Sequence, residues 1–134
     1  MTVKEQLIAA AREIRQRAYA PYSGYLVGAA LHADGQIYTG ANVENASYGL
    51  CICAERMACA SAALAGVRNI EMLAVVTSSS PPVAPCGMCL QTLREFCDDP
   101  SALVLILVNV QGEERESTLA HLSPMAFHKS QLTP

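Results

Sequence analysis

Met72-Leu73-Ala74-Val75-Val76-Thr77 and Leu103-Val104-Leu105-Ile106-Leu107-Val108 frame the stretch that decides the fold. Both are apolar runs of strand length. The second is continuously aliphatic, the pattern of a strand buried on both faces. Ser78 to Pro85 follows the first run with three serines and three prolines in eight residues, which excludes regular structure. A helix is expected from about Cys86 to Cys97, with Pro85 just ahead of its start, where a missing N–H costs nothing.

Toward the N-terminus the alternation continues. Thr2 and Glu5 have the spacing of a capping box, and Leu7, Ile8, Ala11 and Ile14 keep a helical period. A first helix is therefore expected to run to about Ala18 and to end by Pro21. Val27 to Leu31 and Gln36 to Ala41 read as strands joined by a turn at Ala33-Asp34-Gly35. A loop from Asn42 to Leu50 leads to a helix from about Cys53 to Ala65, closed by Gly66. Thr118 to Pro134 is expected to hold one short helix and a frayed tail. Strands alternating with helices give an α/β fold, a sheet layered between helices.

The helix after Cys53 has no charged face beyond Arg56. It is either a central helix within one subunit or a helix with one face against another subunit. The 134 residues fit one domain, 1–134, large enough for its own core. Just over half the residues are apolar and only 16% are charged, a low charge for a small monomer, which oligomerisation would explain. A formal charge of −3 argues against a nucleic-acid partner. No apolar run approaches the roughly 18 residues of a membrane span. The N-terminus lacks a signal pattern, so a cytoplasmic protein is expected, its six cysteines thiols, ligands or nucleophiles rather than disulfides.

Two motifs carry chemistry: Cys53-Ala54-Glu55-Arg56 and Pro85-Cys86-Gly87-Met88-Cys89. Cys86 and Cys89, three apart at a helix start, aim both sulfurs at one ion. Cys53 supplies a third from the start of another helix. Three thiolates on Zn²⁺ leave one tetrahedral position open for water, the mark of a catalytic site. Glu55, two residues from Cys53 in the first turn of the same helix, reaches that water without being a ligand. Three thiolates and Zn²⁺ sum to −1, which would weaken the water's acidity. Two helix N-termini and the neighbouring Arg56 offset that charge. The donor set suits hydrolytic attack on an amidine-like carbon, with Glu55 as the proton shuttle.

The Cys-x-Glu and Pro-Cys-x-x-Cys signatures match the zinc-dependent nucleobase deaminases. Tyr19-Ala20-Pro21-Tyr22-Ser23, Val27 to Leu31, Asn42-Val43-Glu44-Asn45-Ala46-Ser47-Tyr48-Gly49 and Leu122 to Phe127 extend the likeness. Over nearly its whole length the chain resembles the small homotetrameric cytidine deaminases. That resemblance implies a three-layer α/β/α sandwich with a mixed central sheet, and one zinc per subunit. It implies deamination of cytidine and 2′-deoxycytidine in pyrimidine salvage. It assigns Asn42 and Glu44 to the ribose, and Glu55 with the Ala54 backbone to the pyrimidine edge. Tyr25, where the family commonly has Phe, would line the site. Tyr48 and Phe127 would help close it, partly from neighbouring subunits. The family's Arg after the last ligand is replaced by Leu90, which shifts charge compensation onto Arg56. Met125 is a variable point near the base pocket.

Cys51, Cys59 and Cys97 read as small buried residues, with Cys51 pointing away from the metal. His32, His121 and His128 carry no partner pattern. Rival readings are a free-base or blasticidin-type deaminase, which would not need Asn42 and Glu44, and a non-catalytic zinc module, which would need a fourth protein ligand. A nucleic-acid editing enzyme would need a basic face.

Overall fold

The computed structural model describes residues 1–132. The elements run α1 (Val3–Arg15), β1 (Gly28–Ala33), β2 (Gln36–Ala41), α2 (Ala54–Leu64), β3 (Met72–Thr77), α3 (Gly87–Glu95), β4 (Val104–Asn109), β5 (Glu114–Thr118) and α4 (Leu119–Leu122). Short 3₁₀ turns lie at Tyr48–Leu50 and Lys129–Gln131. The strands form one mixed sheet in the order β2-β1-β3-β4-β5. Only β3 and β4 are parallel, pairing Leu73 with Leu105 and Val75 with Leu107.

Alternation along the central strands builds two cores. Leu31, Leu73, Val75, Leu105 and Leu107 point to the side covered by α2 and α3. Ala30, Ala74, Val76, Ile106 and Val108 point to the other side, against Leu7 and Ala11 of α1. A strand with no polar face must be covered twice, and the helices do so. The result is the three-layer α/β/α sandwich with a mixed sheet that the sequence implies.

Two glycines let helices lie directly on the sheet. A Cβ at Gly28 would fall 2.1 Å from the Ala11 carbonyl oxygen. One at Gly40 would fall 2.4 Å from the Ala54 oxygen and 2.7 Å from the Ala58 nitrogen. Gly40 therefore fixes how closely the first turn of α2 approaches β2. The β1–β2 hairpin turns at Asp34 and Gly35, both with positive φ, the geometry of a type I′ turn.

Two points differ from expectation. The first helix stops at Arg15, not Ala18, because Tyr19 is drawn into a bridge beside Val43. Its N–H donates to the Asn42 carbonyl and its carbonyl accepts from Glu44 N–H. Strand β5, Glu-Arg-Glu-Ser-Thr, has no apolar signature and was not expected; it is an edge strand, paired on one side by β4. The outer face of α2 is bare within one chain, with Leu64 91% exposed. The C-terminal helix is present as α4, and the last two residues of the expected tail, Thr133 and Pro134, lie outside the described residues. Among the described residues no helix is long and apolar enough to cross a membrane.

Candidate active site

Cys53 is the N-cap of α2 and Cys86 the N-cap of α3, both in extended backbone, with Cys89 in the first turn of α3. Neither cap side chain accepts from the backbone N–H groups of its own helix. Both sulfurs are thus free for another partner, with the positive ends of two helices behind them. The three Sγ atoms lie within 4.8 Å of one another. Cys86 and Cys89 are 3.6 Å apart. Sulfurs on a tetrahedral zinc at about 2.3 Å stand about 3.8 Å apart, so the cluster fits that ion.

Cys53 ionises more readily than an ordinary thiol. Hydrogen bonding from the Cys89 thiol leads, opposed by burial and helped by Cys86 and the Arg56 charge, and its pKa falls to about 6. The same contact pushes Cys89 up. Arg56 also donates to the Cys51 carbonyl at 3.4 Å, which holds its guanidinium beside the α2 N-terminus.

The cluster forms one wall of a 330 Å³ cavity. That is the lower end of ordinary small-molecule sites. Glu55, only 6% exposed, lines the same cavity. Burial raises its pKa to about 7, with the Cys53 charge adding to the effect. A carboxyl near neutrality can both accept and deliver a proton.

Tyr25, Asn42, Glu44 and Ala54 line the cavity too. Asn42 is clamped: its Oδ1 accepts from Val27 N–H and its Nδ2 donates to the Tyr25 carbonyl, both at 2.8 Å. Glu44 Oε1 accepts from the N–H groups of Tyr22 and Ser23 at 3.0 and 3.1 Å, and Oε2 accepts from the Ser23 hydroxyl. The Ser23 hydroxyl, then the backbone N–H groups, hold the Glu44 pKa below the usual carboxylate range. A second recess of 310 Å³, lined by Tyr22, Ser23 and Tyr48, shares Glu44 and Cys51 with the first.

Tyr48 and Phe127 do not line the cavity of their own chain; they are 74% and 56% exposed. Tyr48 packs edge-on against Tyr22, and the Phe127 carbonyl accepts from Gln91 of α3 at 2.9 Å. Met125 is exposed and away from the cavity.

Cys51 differs from expectation. It lines the cavity, and its sulfur accepts from Asn45 N–H at 3.4 Å, because a residue ahead of a helix is not bound by helical periodicity. It stands outside the three-sulfur group. Cys59 and Cys97 are buried as expected, and burial pushes the Cys59 thiol up to about 12. His32 pairs with Glu71 at 2.8 Å, a partner the sequence did not indicate.

The sequence also missed part of the cavity wall. Val83, Ala84 and Pro85 from the β3–α3 loop line the cavity. The loop is tethered by the Tyr25 hydroxyl to Ser79 Oγ at 2.6 Å and by Arg115 to the Pro82 carbonyl at 3.3 Å. The signal was available only as proline and serine density, which marks a loop and not its direction.

Residues 1–105 match the family model described as the cytidine and deoxycytidylate deaminase zinc-binding region. The chain is 46% identical over 130 residues to the cytidine deaminase of Sporosarcina psychrophila, covering 96% of this chain and 94% of that one. It is 46% identical over 125 residues to the cytidine deaminase of Halalkalibacterium halodurans, covering 92% and 93%. Among solved structures it is similar to the cytidine deaminase of Burkholderia pseudomallei, with 48% identity, TM-score 0.88 and coverage of 95% and 100%.

Proposed function

This chain belongs to the cytidine and deoxycytidylate deaminase family defined by its zinc-binding region, and on that premise we propose that it hydrolyses cytidine and 2′-deoxycytidine to uridine and 2′-deoxyuridine, releasing ammonia. One observation carries the reading. A carboxyl buried to 6% exposure lines the same cavity as three sulfurs spaced for one tetrahedral ion.

Cys53, Cys86 and Cys89 would hold a zinc ion, which when bound would supply Lewis acidity toward a water near neutral pH. Glu55 takes one proton of the attacking water and passes it to the ring nitrogen; it then takes the second, from the hydroxyl now on the ring carbon, and gives it to the amine as the C–N bond breaks, leaving a carbonyl and ammonia. Its raised pKa suits both directions of transfer. The Ala54 backbone holds the pyrimidine edge, and Arg56 balances thiolate charge. Asn42 and Glu44 hold the ribose, and Tyr25 forms part of the wall around it.

The active domain spans 1–134, acts in the cytoplasm in pyrimidine salvage, and assembles as a homotetramer with no nucleic-acid or membrane partner. The bare face of α2 around Leu64 supports assembly. Tyr48 and Phe127, exposed and outside their own cavity, support sites completed by neighbouring subunits.

The test is an absorbance assay on cytidine, 2′-deoxycytidine, cytosine and blasticidin S, with zinc quantified in the same preparation. Turnover of the two nucleosides with one zinc per chain is expected. Turnover confined to cytosine or blasticidin S, or none with zinc bound, defeats the proposal.

A further inference from the structure

We propose that Ser23 is a positioning residue for the sugar, because its hydroxyl holds the one oxygen of Glu44 that stays open to a ribose hydroxyl. The inference rests on the reading of Glu44 as a ribose ligand.

The argument is a count of acceptor sites. An ionised carboxylate offers about four lone-pair sites and donates nothing. On Glu44 Oε1, two are filled by Tyr22 N–H and Ser23 N–H. On Oε2, one is filled by Ser23 Oγ. One acceptor site remains, on Oε2. Glu44 therefore accepts one sugar hydroxyl, through the oxygen that Ser23 holds.

The direction of the Ser23 hydroxyl is also fixed. Its oxygen accepts from Tyr25 N–H at 3.0 Å. Its proton then goes to the carboxylate, which can only accept. Ser23 thus joins two parts of the cavity wall, the Tyr25 backbone and the Glu44 side chain. Asn42 closes the circuit by bonding the Tyr25 carbonyl. Glu44 also lines both the cavity and the adjoining recess, so its carboxylate needs a fixed orientation to serve one of them. The Ser23 side chain is exposed, leaving room for an added methyl group.

The experiment uses full-length zinc-loaded protein and four variants: Ser23→Ala, Ser23→Thr, Glu44→Ala and the Ser23→Ala/Glu44→Ala double. Ser23→Ala should raise KM for cytidine about tenfold, as loss of a bond to a charged group does, with kcat changed less than about twofold. Ser23→Thr, which keeps the hydroxyl, should restore KM. Inhibition by 1-methylcytosine, which keeps the base and lacks the sugar, should be unchanged. In the Glu44→Ala background the Ser23 substitution should have no further effect, because its partner is gone. Ser23→Cys, a near-isostere with a weak donor, should move KM the same way as Ser23→Ala and serves if that variant loses zinc.

Losses that add fully in the double variant, equal weakening of 1-methylcytosine, or no rescue by Thr would overturn the proposal while leaving Glu44 as a ribose ligand. An unchanged cytidine KM in Glu44→Ala alone would overturn the ribose reading itself, and the proposal with it.

Discussion

At the scale of single residues, the Cys53, Cys86 and Cys89 group able to hold a metal was legible because its members sit in short motifs whose spacing is fixed by a helix start. The environment of Glu44 was not. Its partners come from Tyr22 and Ser23, more than twenty positions earlier, and no local period links them. Cys51 misled for the same reason, since the direction of a loop side chain is a tertiary property. Glu55 gives the sharpest single-residue prediction. Glu55→Gln should reduce kcat by about 10⁴-fold or more while zinc content is kept, because a group serving several proton transfers sits at the upper end for acid–base catalysis. Stability should move the other way. The folded pKa of Glu55 is raised to about 7 by burial, so the carboxyl favours folding while neutral and this contribution fades as pH rises through 7. At pH 8 a neutral Gln avoids burying a charge, so the Tm of zinc-free Glu55→Gln should equal or exceed that of the zinc-free parent. A lower Tm there would mean that the ionised carboxylate is stabilised in the fold.

At the scale of elements, strands β3 and β4 were plain because a parallel pair buried on both faces has no polar positions to blur the pattern. Strand β5 was invisible for the opposite reason. Its exposed, charged residues satisfy an edge, where Lys4 of α1 meets Glu114 and Glu116 at 3.0 and 2.7 Å. Helix α2 was legible in type and extent, but not in its contact with β2, which depends on Gly40. Gly40→Ala would drive a methyl into the Ala54 oxygen and Ala58 nitrogen, backbone atoms that cannot rotate away. Overpacking of this kind costs about 1–3 kcal/mol. Thermal unfolding should therefore begin several degrees lower. Zinc affinity should also drop, because the displaced turn follows Cys53. An unchanged Tm and metal affinity would show that α2 can shift on the sheet without consequence.

At the scale of the whole molecule, the fold class and the paired motifs could be inferred from one chain, while the proposed sharing of sites between subunits is not visible in one. Tyr48 and Phe127 lie outside the cavity formed by their own chain. Co-expressing Glu55→Gln with Phe127→Ala, each inactive alone, should recover part of the activity, since mixed assemblies contain some sites with both groups intact. Activity should also fall on dilution in step with dissociation measured by light scattering. A fully active monomer would end the idea of shared sites and leave the zinc chemistry untouched. The three-sulfur cluster has a consequence for stability as well. Cys53 and Cys86 are 33 positions apart, so an ion gripping both ties a loop in the polymer much as a covalent cross-link does. Unlike a covalent link, the ion leaves when the chain unfolds, so its hold on the folded state grows with the free ion concentration. The ion should therefore act as a staple as well as a reagent. Chelation should lower the unfolding midpoint, and added Zn²⁺ should raise it with the logarithm of the free ion concentration.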